Sequence, residues 1–203
     1  MPKLFDAYDA PDIADHAKEI KAAGYDAAAL YYFEQSAFKR QLTRPVAEAL
    51  SAAGLFIVSL YENGSPTTAG YFTPDRGAHD GCVAAAKAVA AGQPKSTIIY
   101  PTVDYDAATR DLPAISEYFR ALRLALTTAG YTTGVYGSGL VCRTLKEQGL
   151  VTKTWLSQSH GWQGYGEWID HADIVQARAT RLFGADVDLD TSALSGGGGW
   201  KLL

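Results

Sequence analysis

The chain has 203 residues, of which 47% are apolar and 20% charged, and its formal net charge is −4. This length and composition fit one large globular domain better than a disordered chain. The acidic balance gives no support to nucleic-acid or anionic-membrane binding, since both usually need a basic surface. No window approaches the run of about 18 apolar residues that a membrane span needs. We therefore expect a monomeric globular domain that binds neither nucleic acid nor membrane.

Several kinds of site and signal are absent from the sequence. The N-terminus, MPKLFDAYDA, shows no basic region followed by an apolar one, so no secretory signal is visible. The cysteines Cys82 and Cys142 are expected to be buried free thiols, and the histidines show no zinc-site spacing. The run from Gly196 to Gly199 has no helix after it and predicts a flexible tail rather than a phosphate loop. We expect no cofactor.

Strands and helices alternate over the first three quarters of the chain. Three predicted helices end in Ala-Ala-Gly-Tyr, Ala-Ala-Gly-Leu or Thr-Ala-Gly-Tyr, each a helix stop followed by a residue that enters a strand. This pattern is typical of repeated parallel βα units. The predicted strands are 4–8, 27–33, 55–61, 97–104 and 132–137, and the predicted helices are 12–23, 45–53, 75–91, 112–129 and 140–148.

The rhythm changes after Gly149. Short strands are predicted at 152–157, 174–177 and 185–189, and the last gaps are too short for full crossover helices. Eight strands in all favour a closed barrel, with an open doubly wound sheet as the alternative. We expect one domain over residues 1–192 and a Gly-rich tail over 193–203.

The fourth predicted strand ends in two acids. In the segment STIIYPTVDYD, strand alternation would point Asp104 and Asp106 to the same side, after a buried apolar run. Such a pair suits an acid-base site, but it is equally a pattern of two solvated acids that begin a loop.

Acids also follow other predicted strands. The first strand carries Asp6, the third is followed by Glu62, and the last carries Asp186, Asp188 and Asp190. In a barrel of βα units the site lies at the carboxyl ends of the strands, so these positions predict an acidic site.

Aromatic and amide side chains occur at the same strand ends. Rings stack on sugar faces, while carboxylates and amides bind sugar hydroxyls, so the combination predicts a sugar-binding cleft. The lack of strong basic groups there argues against phosphorylated substrates. Tyr32 and Tyr105 are better explained by core packing. The substrate-binding candidates are Tyr61, Tyr136, Trp155, Gln158, Gln176 and Asp188, with Tyr8 and Trp162 nearby.

A metal site is the alternative use of these acids. The segment DVDLDT has acids at alternate positions, but Thr191 and Gly197 stand where a calcium loop needs Gly and Glu. It is therefore not an EF-hand. A magnesium or calcium site built from several strand ends stays open, but we predict no metal ligand.

Several short motifs, in their order, resemble a known family. FDAYD, VDYD, VYGS, the Trp155 segment, and IVQAR followed by DVDLD resemble the glycoside hydrolase-like family called domain of unknown function 1906. That family is similar to the family 25 lysozymes, which are N-acetylmuramidases. The resemblance covers about residues 4–190. It implies an α/β, TIM-like barrel of about five β/α units closed by three short strands.

The resemblance also implies residue roles. Asp6 matches the acid of the first strand, Asp188 the acid of the last strand, and Tyr136 the aromatic residue of the fifth. Asp104 matches the first acid of an Asp-x-Glu pair, and Asp106 stands where that pair has its proton-donating Glu. Aspartate is shorter by about 1.5 Å. Either the backbone shifts, or Glu62 is the acid, or the protein binds glycan without cutting it.

The expected function is hydrolysis of a β-linked amino-sugar polymer, with peptidoglycan as the first candidate. Asp106 is the first choice of proton donor and Glu62 the second, with Asp104 and Asp6 as neighbouring charges and the substrate acetamido group as a possible nucleophile. The alternatives are a non-catalytic wall-binding barrel and a metal-dependent hydrolase. Made in the cytoplasm without a visible signal, a wall hydrolase would be released by lysis, as an endolysin is, or by another route.

Overall fold

Eight strands form a closed barrel in chain order. The computed structural model describes residues 2–35 and 40–202. Neighbouring strands are parallel from the first to the seventh, and the eighth is antiparallel to both the seventh and the first. The predicted α/β barrel is therefore confirmed. The strands are β1 Lys3–Ala7, β2 Ala27–Tyr32, β3 Phe56–Tyr61, β4 Ile98–Pro101, β5 Thr132–Gly137, β6 Lys153–Leu156, β7 Ile174–Leu182 and β8 Ala185–Ser192.

Helices cover the outside of the barrel. The single helix predicted over 12–23 is two short helices, because His16 between them has a non-helical ψ of 15°. The longest helix starts at the N-cap Thr73, whose side chain accepts a hydrogen bond from the backbone of Arg76, and ends at Gly92. The helices are α1 Ala10–Asp15, α2 Ala17–Ala22, α3 Arg44–Ala52, α4 Pro74–Ala91, α5 Leu112–Thr128, α6 Gly139–Glu147 and α7 Tyr165–Trp168.

Strand alternation divides the apolar residues into two layers. Phe5 packs outward between strand and helix, while Leu4 points into the barrel. A Cβ on Gly134 would lie 2.4 Å from the Tyr100 ring, so only glycine fits opposite that ring. The barrel is thus filled, not hollow, below its mouth. The inner layer consists of Leu4, Ala27, Ala29, Val58, Leu60, Tyr100, Trp155 and Ile174.

β4 is shorter than predicted. It ends at Pro101, and the backbone N–H of Asp104 donates to the carbonyl of Pro66, 3.0 Å away in the preceding loop. Asp104 and Asp106 therefore lie in a loop. The prediction that strand alternation points them to the same side is wrong, because no strand runs through them.

β7 and β8 are longer than predicted. Their pairing continues to Leu182 and Ala185, and the turn between them is made by Phe183 and Gly184, both with positive φ. Two such residues are the requirement of a two-residue hairpin turn of type I′. The outer part of this hairpin is largely polar, so the sequence offers no apolar alternation to mark it as strand.

The Gly-rich C-terminal segment packs against the barrel, so the prediction of a flexible tail is wrong for its described part. Trp200 is buried, forms a β-bridge with Ile57, and donates its indole N–H to Ser59 Oγ at 2.9 Å. A Cβ on Gly199 would lie 2.6 Å from the Ile57 carbonyl oxygen, so a glycine permits this close approach. The segment closes the amino end of the barrel.

Two smaller expectations concern the cysteines and membrane insertion. Cys142 is buried as predicted, but Cys82 is exposed on α4, so the prediction is wrong for that residue. In the part of the chain that the structure describes, no helix is long and apolar enough to cross a membrane.

Candidate functional site

A cleft crosses the carboxyl end of the barrel. It consists of three adjoining pockets of about 320, 350 and 190 Å³, and Tyr8 lines all three. Phe33 and Glu62 line the third, while Asp6 and the β7–β8 hairpin line the second. The central pocket is lined by Tyr8, Tyr31, Glu62, Asp104, Tyr136, Ser157, Gln158, Ser159, Trp162, Gln176 and Asp188.

Asp6 and Asp188 are joined by one amide at the floor of the cleft. They are register partners on β1 and β8, and Gln176 Nε2 donates to Asp6 Oδ2 at 2.8 Å and to Asp188 Oδ2 at 3.2 Å. The Tyr31 hydroxyl donates to the other oxygen of Asp6 at 3.0 Å. Burial raises the pKa of Asp6 to about 7, while the Gln176 bond opposes the shift. Asp6 therefore takes up or gives off a proton near neutral pH.

The orientation of Gln176 is set by its carbonyl oxygen. That oxygen accepts from the Tyr136 hydroxyl at 2.9 Å and from the backbone N–H of Gln158 at 3.3 Å. Because both partners donate, the amide nitrogen is directed to the carboxylates. The predicted site residues Asp6, Tyr136, Gln176 and Asp188 thus form one network.

Glu62 lies on the opposite wall, directly after β3. Its Oε2 accepts a hydrogen bond from Thr102 Oγ1 at 3.2 Å. Burial, and next the negative charge of Asp104, raise the pKa of Glu62 to about 7. Burial also raises the pKa of Asp104. A carboxyl group that stays protonated near neutral pH beside a second carboxylate is suited to general acid catalysis.

Asp106 lies outside the cleft. It is exposed, and its Oδ1 accepts a hydrogen bond from the backbone N–H of Gln163 at 2.7 Å. The three pockets are lined without it. Asp104 therefore lines the cleft and Asp106 does not, and the bond from Asp106 to Gln163 holds the loop that carries Gln158 and Trp162.

Two predicted substrate-binding aromatics are buried, so these predictions are wrong. Trp155 has no exposed surface, and its indole N–H donates to Asp190 Oδ1 inside the barrel at 2.9 Å. Tyr61 points outward to α4, where its hydroxyl donates to Asp80. Neither ring can stack on a ligand. Trp162, from the same segment as Trp155, lines the cleft instead.

Sequence reasoning missed several cleft residues. Tyr31 lies beside Tyr32 on β2, and alternation requires that when one faces the helices the other faces the barrel. That signal was available from the sequence. Thr102 and Ser157 gave no signal, because single hydroxyl residues at strand ends are common. Among residues 2–35 and 40–202, no group of three or more His, Cys, Asp or Glu could hold a metal ion.

An eight-stranded barrel with outer helices and a carboxylate-lined cleft at the carboxyl ends of its strands defines a glycoside hydrolase-like protein. The family model for the Rv2525c-like, glycoside hydrolase-like domain matches residues 18–192, and the chain belongs to this family. It spans only 16% and 27% of the length of the two curated Bacillus subtilis relatives that it matches, YbfG and FadG, with 32% and 27% identity over the aligned regions.

Solved structures share the fold. The Mycobacterium tuberculosis Tat-secreted protein Rv2525c, in complex with L-tartrate, has a TM-score of 0.81 and 24% identity, with 98% of each chain covered. The Streptomyces coelicolor lysozyme has a TM-score of 0.61 and 12% identity, covering 96% of this chain and 93% of that one. The Streptococcus pneumoniae autolysin LytC, solved with a synthetic peptidoglycan ligand, has a TM-score of 0.63 and 13% identity. The match covers 93% of this chain and 46% of LytC. The predicted resemblance to lysozymes is confirmed.

Proposed function

We propose that this protein hydrolyses a β-linked amino-sugar polymer, with peptidoglycan as the substrate and Glu62 as the proton donor. The observation that carries the proposal is the position of Glu62: a glutamate in the cleft wall, beside Asp104, with a pKa raised to about 7. Glu62 replaces Asp106, the first choice from the sequence, because Asp106 is held at the rim by Gln163.

The reaction would use the carboxyl groups in different protonation states. Protonated Glu62 donates to the glycosidic oxygen as the bond to the sugar breaks. Asp104 and Asp188 stabilise the positive charge that develops on the sugar ring, and the substrate's acetamido oxygen attacks the anomeric carbon. Water then opens the cyclic intermediate and returns the proton to Glu62. Tyr8 and Trp162 offer ring faces to the sugars.

The structural neighbours support the choice of polymer. LytC is an autolysin solved with a peptidoglycan ligand, and the Streptomyces coelicolor protein is a lysozyme. Peptidoglycan lies outside the cytoplasm, so the proposal requires export or release. Rv2525c, the neighbour from Mycobacterium tuberculosis, is Tat-secreted. Release by lysis, as for an endolysin, is the other route.

The test is the release of reducing ends from purified cell walls by the wild type and Glu62→Gln. The amide cannot donate the required proton, so turnover should fall by about 10² to 10⁴. Glu48→Gln is the matched control, because Glu48 lies outside the barrel on α3 and pairs with Arg44. Equal activity of all three proteins would rule out Glu62 as the acid, and no activity in the wild type would rule out hydrolysis.

One observation favours a second candidate, a barrel that binds wall glycan without cutting it. The position of the expected proton donor is taken by Asp106, which faces a backbone N–H instead of the cleft. Co-sedimentation with peptidoglycan that is abolished by Trp162→Ala, without new reducing ends, would favour this function.

A further inference from the structure

Outside the cleft, Asp80 is a fully buried carboxylate with an unusual set of partners. On α4, its Oδ1 accepts from the Tyr61 hydroxyl at 3.0 Å, and its Oδ2 accepts from the hydroxyls of Tyr71 at 2.6 Å and Tyr118 at 2.8 Å. Arg76, one turn earlier on α4, approaches Oδ1 to 3.2 Å. The cluster joins β3, the loop after it, α4 and α5 at one point.

The Tyr61 and Tyr118 hydroxyl groups remain protonated and act as hydrogen-bond donors. Burial, followed by the proximity of Asp80, raises the pKa of Tyr61 and of Tyr118 far above the usual range. These tyrosines therefore keep their protons and continue to donate to Asp80 at every pH at which the protein functions. The carboxylate itself accepts three hydroxyl bonds and the guanidinium contact, so its charge is compensated within the protein.

The cluster holds the chain on both sides of Glu62. Tyr61 precedes Glu62 and donates to Asp80, while Asn63 follows it, with its Nδ2 3.5 Å from Asp80 Oδ1 and 2.6 Å from Glu34 Oε2. Alternate side chains of an extended chain point to opposite sides. Because the Tyr61 side chain faces α4, the next side chain, Glu62, faces the cleft.

We propose that Asp80 is a positioning residue for Glu62, which it keeps in the cleft wall by holding the residues before and after it. The proposal rests on the proposed function, since the Glu62 carboxyl is the group to be positioned. Buried ion pairs are often replaceable by apolar residues without loss of stability. Whatever it contributes to stability, the arrangement around Asp80 fixes the position of the β3 end, because Tyr61 and Asn63 both contact it.

The experiment titrates the Glu62 side chain by ¹³C NMR in the wild type, Asp80→Asn and Tyr61→Phe, with the Glu62 signal assigned from Glu62→Gln. If Asp80 holds Glu62 in its buried position, its loss lets the carboxyl turn to solvent. The Glu62 pKa then falls from about 7 towards about 4.3 in Asp80→Asn. Tyr61→Phe, which removes one hydroxyl only, should move it in the same direction by less, and keeps the test valid if Asp80→Asn does not fold.

Tyr32→Phe is the matched control. Tyr32 ends β2 as Tyr61 ends β3, is equally buried, and donates to Gln93 at 2.9 Å, away from Asp80. On cell walls, kcat of Asp80→Asn should fall about tenfold or more with KM changed less than about twofold, because displacing a reacting group costs rate rather than binding. Tyr32→Phe, assayed well below its own Tm, should keep the wild-type kcat.

The outcomes separate the two proposals. A wild-type Glu62 pKa in both Asp80→Asn and Tyr61→Phe, with kcat no lower than in Tyr32→Phe, would overturn the role of Asp80. A lowered Glu62 pKa in a protein that never releases reducing ends would support the role of Asp80 and overturn the proposed hydrolysis.

Discussion

The two ends of the barrel are built in opposite ways. At the amino end, Gly197 lies against Ala27 and Leu4, while Trp200 pairs with β3 and packs into the outer apolar layer, where its indole N–H is matched to Ser59. At the carboxyl end, Asp6, Glu62 and Asp104 are partly or wholly buried, and burial raises the pKa of each. The amino end is arranged for stability. The carboxyl end gives up stability to hold titratable groups, as functional sites commonly do.

The largest expected effect lies at the carboxyl end, where Asp6 makes the free energy of unfolding depend on pH. The pKa of Asp6 is about 7 in the folded state, against a usual 3.8. Between these two pH values the folded protein therefore holds a proton that the unfolded chain has lost. The resulting stability is fully present below pH 3.8 and lost as the pH rises through about 7. Asp6 alone would account for about 4 kcal/mol of this loss.

Asp6→Asn should remove this contribution, because asparagine does not titrate. The measurement is the free energy of unfolding in urea from acid to neutral pH, for the wild type and the variant. Subtracting the two profiles isolates Asp6 from the other acids. Parallel profiles would show that Asp6 titrates normally in the folded state.

The next effect lies at the amino end. Trp200→Ala should lower the free energy of unfolding by about 3 kcal/mol, because it removes a buried ring and leaves a cavity beside Ile57 and Ser59. Trp162→Ala, the same change in the cleft, should alter stability by less than about 0.5 kcal/mol. It should instead weaken binding to cell walls. Urea unfolding and co-sedimentation measure the two effects, and a reversed pattern would contradict the comparison.

The smallest effect concerns Asp106. Asp106→Ala removes the acceptor for the Gln163 N–H, a bond worth about 1 kcal/mol, and should raise KM about fivefold by loosening the loop that carries Trp162. Asp106→Asn keeps an acceptor oxygen and should retain near wild-type activity. Complete loss of turnover in Asp106→Asn, with the fold intact, would instead restore Asp106 as the proton donor.

The sequence by itself determined the succession of strands and helices, the closed barrel, and the set of acids at the carboxyl ends of strands. These follow from local patterns: Asp6 lies within the first predicted strand, and Glu62 directly follows the apolar third strand. Strand alternation on β2 also predicts that Tyr31 faces the barrel, since Tyr32 faces the helices. The resemblance to lysozymes came from the order of short motifs and was confirmed.

Only the tertiary structure decided which acids share the cleft and which aromatic residues are available to a ligand. Their place in the chain predicts a cleft position for Asp106 and Trp155, but Asp106 accepts a hydrogen bond from the backbone N–H of Gln163 outside the cleft. The Trp155 ring is enclosed in the barrel interior. The C-terminal glycines pack closely because Ile57 and Phe56 meet them. Such contacts join residues far apart in sequence, so no local pattern records them.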